Sequence, residues 1–417
     1  MEIITLTETQ FKNYAKIHSK RNFCQTVEYA NMIEKRGFEK IYLGLLDDNN
    51  NLVASTMLLS QHLKAGFKYA YAPKGFLLDF NDKYLLIAWT RALKKFLSKS
   101  KIIFIKVDPL TLYQIYDSKT NLLDTNNDFL INMQELNYFH LGFNNNFESN
   151  FPRFNVVMYT DNDINSTYKT LRRSTKRNIN FSSTMGISVH KGSAENVDLF
   201  YSMIRKKTEF DLDYFKDFFK FFNNNDNKFE LYFAKINPKT YINNYQYLQE
   251  QEAKRNNILS NKLQTKNVRK TKKLLNKKMT SDNLLEKYKE ELIKATKIHK
   301  NYPNGLVVAS AAIIKNNREI YFIEEGHEEK VKDINACDIL RWEIIKKHMK
   351  EGYKIFNLGG ITGNFNKEDN PFYGLNFSKT GFGGNILEYP GEFDLVLNKP
   401  LYKLYYNVMY YKNKIEK

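Results

Sequence analysis

Five cations, Lys169, Arg172, Arg173, Lys176 and Arg177, crowd into nine residues. Their spacings of 3, 1, 3 and 1 put most of them on one face of a helix. Side chains of this type in this pattern can hold phosphate oxygens, although a solvated helix face has the same pattern. Lys74, just before Gly75, can approach a phosphate where the chain turns. Signals for other chemistry are lacking. His327 and His348 stand alone, so no metal is expected. Asp161 and Asp163 lie in a polar loop without the rest of a calcium pattern. The two cysteines, Cys24 and Cys337, have neither zinc nor redox spacing.

The bulk numbers agree with an anionic partner. The 417 residues carry a formal charge of +18, which favours nucleic acid, nucleotide phosphates or an acidic membrane face. The opening Met1-Glu2-Ile3-Ile4-Thr5 has an acid where a secretory signal has bases. No apolar run approaches the ~18 residues that span a bilayer. A cytoplasmic, reduced protein is therefore expected.

Elements able to position these residues occur twice over. In the first half, IYLGLLDDNNNLVASTMLL (41–59) reads as strand, turn and strand. FKYAYAPKG (67–75) is a third strand, YLLIAWTRALKKFL (84–97) an amphipathic helix, and KIIFIKVDP (101–109) a buried closing strand. The order returns in FELYFAKIN (229–237), GLVVASAAII (305–314), REIYFIEEG (318–326), ACDILRWEIIKKHM (336–349) and YKIFNLGGI (353–361). Helical segments at 25–38 and 213–222 open the two copies. This is the order of an acyltransferase unit of the GNAT type, so the expected fold is α+β with two tandem GNAT-like subdomains. LRRSTKRN (171–178) has no glycine and cannot form that fold's usual acetyl-CoA turn, so another acyl donor is expected.

In the second copy, residues 238–304 replace the short DDNNN turn. Leu285, Tyr288, Leu292 and Ala295 keep a 3-4-3 spacing, and Tyr241, Tyr245 and Leu248 keep 4-3. Two antiparallel helices are expected there, forming a coiled-coil arm. Residues 251–300 hold fifteen Lys/Arg and five Asp/Glu, a net +10. Arg269, Lys270, Lys272 and Lys273 near the tip are candidate contacts for duplex phosphates, again with a solvated surface as the plainer reading.

The chain resembles the FemABX family of non-ribosomal peptidyltransferases over nearly its whole length. The resemblance is carried by FKYAYAPKG (67–75), FIKVDP (104–109), YKTLRRSTKRNINFSSTMGISV (168–189), ILRWEIIKKHMKEGYKIFNLGGITG (339–363) and SKTGFGGNILEYPGEFDLVLNKPLY (378–402). It implies a donor, aminoacyl-tRNA, that acts as co-substrate, with no bound cofactor. It implies as acceptor an amino group on the stem peptide of a peptidoglycan precursor. The reaction would be aminolysis of an activated ester. Lys379 matches the family's lysine before a glycine-aromatic-glycine stretch and would stabilise the oxyanion; Ser378 replaces the more usual Phe before it. Asp108 matches an aspartate near the acceptor, its plainer reading being a cap before Pro109. Tyr214 matches a tyrosine of the nucleotide-sugar groove, and Lys74 and Lys106 are placed with it as substrate-binding candidates. Phe210 and Ile33 fall where a UDP-binding relative has cations, which points to a lipid-linked acceptor. The expected domains are 1–160, then 161–237 with 305–395, an arm at 238–304, and a C-terminal helix at 396–417 packed on the first. That helix is basic and aromatic, as peripheral contact with the inner membrane face would require. An acyl-CoA-dependent N-acyltransferase and a non-catalytic RNA-binding protein on a transferase-like core remain as alternatives.

Overall fold

The computed structural model describes residues 1–63, 66–161, 163–264, 271–316, 319–366 and 368–415. In chain order the first part holds β1 (Glu2–Thr5), α1 (Glu8–Ile17), α2 (Val27–Glu34), β2 (Glu39–Leu46), β3 (Leu52–His62), β4 (Lys68–Ala72), α3 (Lys83–Leu97) and β5 (Ile102–Val107). Local signals explain these elements. Asp82 caps α3 by accepting from the Leu85 N–H, and Leu86, Trp89, Leu93 and Leu97 form its buried stripe. β6 (Gln114–Tyr116), β7 (Leu122–Thr125), α4 (Asp128–Glu135) and β8 (Tyr138–His140) follow.

The second unit comprises β9 (Phe154–Tyr159), α5 (Ile164–Thr170), α6 (Arg173–Thr184), β10 (Ile187–Lys191), α7 (Val197–Ile204), α8 (Leu212–Phe221) and β11 (Asn227–Ile236). The helices α9 (Pro238–Gln264) and α10 (Thr271–Asn301) come next. They are followed by β12 (Leu306–Asn316), β13 (Glu319–His327), α11 (Ala336–Lys350), β14 (Ile355–Ile361), α12 (Tyr373–Thr380), β15 (Asn385–Glu388), β16 (Phe393–Val396) and α13 (Lys399–Ile415).

Two sheets result. One has the order β1-β2-β3-β4-β5-β16-β8, the other β10-β11-β12-β13-β14-β9-β15-β6-β7. Sheet membership does not follow a cut in the chain at residue 160. β6, β7 and β9 pair in the second sheet, and β16 returns to the first between β5 and β8. The crossing is fastened by Arg153, whose Nη2 donates to Glu388 at 2.5 Å and whose Nη1 donates to the Asn144 carbonyl. α13 packs on β5, with Tyr402 and Tyr405 against Phe104 and the Tyr402 hydroxyl donating to Asp394. No described helix is long and apolar enough to cross a membrane.

The units share a core. Phe11, Cys24, Tyr29 and Met32 of the first meet Phe200, Tyr214, Phe218 and Phe229 of the second. Lys35–Asp217 and Arg36–Asp211 ion pairs edge that seam.

The arm is a pair of facing helices. Its base belongs to the second unit: Tyr241, Tyr245 and Ala295 are buried in that core, with Tyr288 and Leu292 packed beside them. Farther out, Ser281 donates to Glu252, and Asn256 donates to Ser281 and Asp282. Polar pairs buried in such a seam fix register at some cost in stability. Excising 243–301 therefore removes core, and each such large-to-small loss costs about 2–5 kcal/mol. Excising 250–283 and joining Gln249 to Leu284 through a short turn should instead leave the protein folded, with a melting temperature within a few degrees of wild type. Collapse of the shorter excision, or wild-type melting of the longer one, would contradict this division of the arm.

Candidate active site

Each unit has one parallel strand pair, and the two pairs end differently. In the first, β4 and β5 stay paired to their ends, Ala72↔Val107. There Asp108 accepts from the Lys74 backbone N–H at 2.6 Å and faces the Lys74 Nζ at 3.1 Å. Lys74 is 5% exposed, with its ammonium 5.1 Å from the rings of both Phe151 and Tyr389. It is therefore not a surface phosphate contact; its charge is committed to Asp108. Burial, opposed by Lys74, raises the Asp108 carboxyl above its usual range. The hydroxyls of Tyr29, Tyr71 and Tyr321 lie within electrostatic reach of Asp108. Tyr321 belongs to β13, so Asp108 faces the second unit. Lys106 is paired with Glu392 at 3.1 Å and Asp394 at 3.7 Å, joining β5 to β16 rather than standing free for substrate.

In the second unit, β13 and β14 pair only through Tyr321↔Asn357 and then part. The last turn of α12 delivers Lys379 to this opening, where its Nζ donates to the Gly360 carbonyl at 3.0 Å. Gly359 has φ +80°, and a Cβ there would lie 2.8 Å from the Phe322 carbonyl and 3.2 Å from Nζ, so only glycine fits beside the lysine. Burial lowers the Lys379 pKa to about 8; Arg341 adds to the effect, while Glu325 and Glu324 oppose it. Glu324 is pushed the other way, to about 7, by burial and by Glu325, against Lys379 and Lys207.

Arg341 on α11 orders the surroundings. It binds Glu325 through Nε at 2.7 Å and Nη2 at 2.8 Å, and donates from Nη1 to Ser378 Oγ at 2.6 Å. Ser378 in turn donates to Asp338. The hydroxyl at this position thus serves the polar network that holds α12, and the exposed aromatic of the helix is the preceding Phe377.

The basic cluster is not one helical face. The chain is extended at Leu171 and Arg172, which separates α5 from α6. Arg172 turns inward, donating to the Phe377 carbonyl at 2.7 Å and to Thr380 Oγ1 at 3.0 Å, and so ties down the end of α12. Lys176 caps α5 at the Lys169 carbonyl. Lys169, Arg173 and Arg177 are exposed. On the arm Lys272 and Lys273 are exposed, while Arg269 and Lys270 lie outside the described residues.

Tyr214 is 6% exposed, covered by Phe210 at 4.0 Å between ring centroids and by the Arg36 guanidinium at 5.0 Å. Glu324, Glu325, Arg341 and Asp338 escaped the sequence reading. The available signal was an acidic doublet inside an otherwise apolar strand, IYFIEEG.

A cation held dehydrated beside a cleft, with carboxylates opposite, can stabilise an oxyanion and manage protons. It also has a thermodynamic mark. Folded Lys379 releases its proton near pH 8, the unfolded side chain near ~10.4. Between these values the unfolded state binds more protons, so this lysine makes stability rise with pH; below about 8 it is a constant penalty. In urea unfolding, wild type should gain stability relative to Lys379→Met from pH 7.5 to pH 9.5. Parallel pH dependences would show that the ammonium is not dehydrated.

Comparisons with known proteins converge on one family. The FemAB family profile matches residues 6–410. An aminoacyltransferase FemB from Staphylococcus epidermidis is 28% identical over 427 residues, covering 100% of both chains. An aminoacyltransferase FemA from Staphylococcus aureus is 24% identical over 432 residues, again with 100% coverage of both. A crystal structure of FemX superposes with a TM-score of 0.73 at 20% identity, covering 97% of this chain and 99% of that one, which establishes the shared fold. The match spans the arm, both sheets and the helix that carries Lys379, and with it the chain belongs to the FemAB family and is an aminoacyltransferase.

Proposed function

We propose that this enzyme moves an amino acid from a charged tRNA onto an amino group of the stem peptide of a lipid-linked peptidoglycan precursor, building interpeptide bridges. The observation that carries this reading is Lys379, held at the strand opening where a carbonyl oxygen can meet its ammonium. An aminoacyl ester is already activated, so two bound reactants and an oxyanion partner suffice, with no covalent enzyme intermediate.

The preference for a lipid-linked acceptor is supported by the seam beside Tyr214. Phe210 closes over that ring, and Lys35 and Arg36 are engaged by Asp217 and Asp211. A diphosphate normally needs cationic or backbone N–H partners, and these cations are occupied. The aromatic, basic α13 suits work at an anionic membrane surface.

Incubation with charged tRNAs and either precursor at matched concentration, followed by mass spectrometry, tests the reading. The stem peptide should gain the mass of an amino acid, and faster on the lipid-linked form. Preference for the UDP-linked form would refute the acceptor assignment. Failure with every charged tRNA would refute the donor.

The arm is the proposed tRNA contact. Excision of 250–283 removes ten Lys/Arg and three Asp/Glu. Affinity for tRNA should fall about tenfold or more at ~0.1 M salt, and the slope of log affinity against log salt should flatten. Unchanged affinity would dismiss the arm from this role.

A further inference from the structure

Around the strand opening three other carboxylates are engaged. Asp108 faces Lys74, Glu325 is gripped by Arg341, and Glu392 is held by Lys106 and Asn150. Among the described residues no cation clamps Glu324 in this way, and its direction is set by a bulge. β13 pairs with β12 as Ile313↔Phe322 and then Ala312↔Glu324, so Ile323 is an extra residue. The bulge resets the alternation of faces. Phe322 lies in the core under α11, and Ile323 packs into the core shared by the two units. Glu325 then reaches Arg341 on α11, whereas a side chain on Gly326 would meet Met203 and Ile204 of α7. Glu324 therefore shares the face of Ile323 and Gly326, toward the first unit. Without the extra residue the two acids would exchange faces.

On that face the Glu324 carboxyl lies within electrostatic reach of groups from several elements. Lys379 comes from α12, Lys207 from the turn after α7, and Glu325 is its neighbour on β13. Tyr214 on α8 also senses its charge. Lys207 contacts His327 at 3.3 Å, and Arg341 stands behind Lys379. Glu324 thus lies between the Tyr214 side of the seam and the Lys379 opening.

We infer that Glu324 is the proton carrier of the transfer reaction, acting with Lys379 in one reaction centre. This rests on the ester-aminolysis reading above. The acceptor nitrogen forms a C–N bond to the ester carbonyl, whose π pair moves to the oxygen facing the Lys379 ammonium. The Glu324 carboxylate takes the proton that the nitrogen sheds. The tetrahedral adduct then collapses, the bond from carbon to the ribose oxygen breaks, and that oxygen leaves with the proton from Glu324. The carboxylate is restored, and no other reactant is required. A carboxyl that titrates near neutrality is well matched to both halves of this relay.

The test is kcat at saturating substrates from pH 5.5 to pH 9 for wild type, Glu324→Gln and Glu324→Asp, with melting curves recorded for each. Wild-type kcat should fall on the acid side as a single group protonates near pH 7. Glu324→Gln should lose about a hundredfold or more, and that acid limb should vanish. Glu324→Asp, which keeps the carboxyl, should retain the limb at a lower rate. A folded Glu324→Gln enzyme within threefold of wild type and with its acid limb intact would overturn the proposal. So would a change confined to KM, which would make Glu324 a binding group. Absence of transfer by wild type itself would defeat the ester-aminolysis reading and this inference with it; active wild type with an unaffected Glu324→Gln defeats only the inference.

Discussion

The site depends on keeping an ammonium out of water. A buried lysine is costly unless its surroundings replace the lost hydration, and among the described residues Lys379 receives one carbonyl and the fields of two carboxylates. That partial compensation leaves the charge available to a further acceptor, which in the proposed reaction is the developing oxyanion. Much of the neighbouring structure serves to hold it there. Arg172 ties down the end of α12, Arg341 holds Ser378 and Glu325, and Asn376 binds the Thr362 backbone from the middle of the helix. Gly359 leaves room for the amine. A shift of α12 would either rehydrate the lysine or drive it into Glu324 and Glu325.

The two units solve one geometric problem in opposite ways. Parallel neighbours that diverge leave backbone groups and a wedge of space between them. In the first unit the wedge is closed by a charge pair, Lys74 with Asp108, packed among aromatic rings. In the second it stays open beyond Tyr321 and Asn357 and holds the Lys379 ammonium. The shared core then sets the closed end of one unit against the open end of the other, with Tyr321 common to both environments. The proposed transfer brings two large substrates to one point, and a duplicated unit offers a separate face to each.

Much of this architecture was legible in the chain. The alternation of apolar strands with one amphipathic helix, repeated once, located both units, and heptad spacing located the arm. What escaped depends on long-range contact. The break between α5 and α6 is not signalled by LRRSTKRN, because Arg172 leaves the helical path to reach Phe377, about two hundred residues on. β6, β7, β15 and β16 are short, and their partners are remote in sequence, so no local pattern assigns them to a sheet. Lys74 and Lys106 read as cations free for substrate because their acidic partners lie elsewhere in the chain. Glu324 and Glu325 exchange faces through a single extra residue, and periodicity alone assigns both to the wrong side.

The central claim is that the ester carbonyl of the donor sits in the opening between β13 and β14, against Lys379. It is tested most directly by a crystal structure with a stable analogue of the donor terminus, an adenosine whose aminoacyl ester is replaced by an amide. The account predicts the analogue's carbonyl oxygen within hydrogen-bonding distance of Lys379 Nζ. An analogue bound elsewhere, with Lys379 still turned to Gly360, would contradict it.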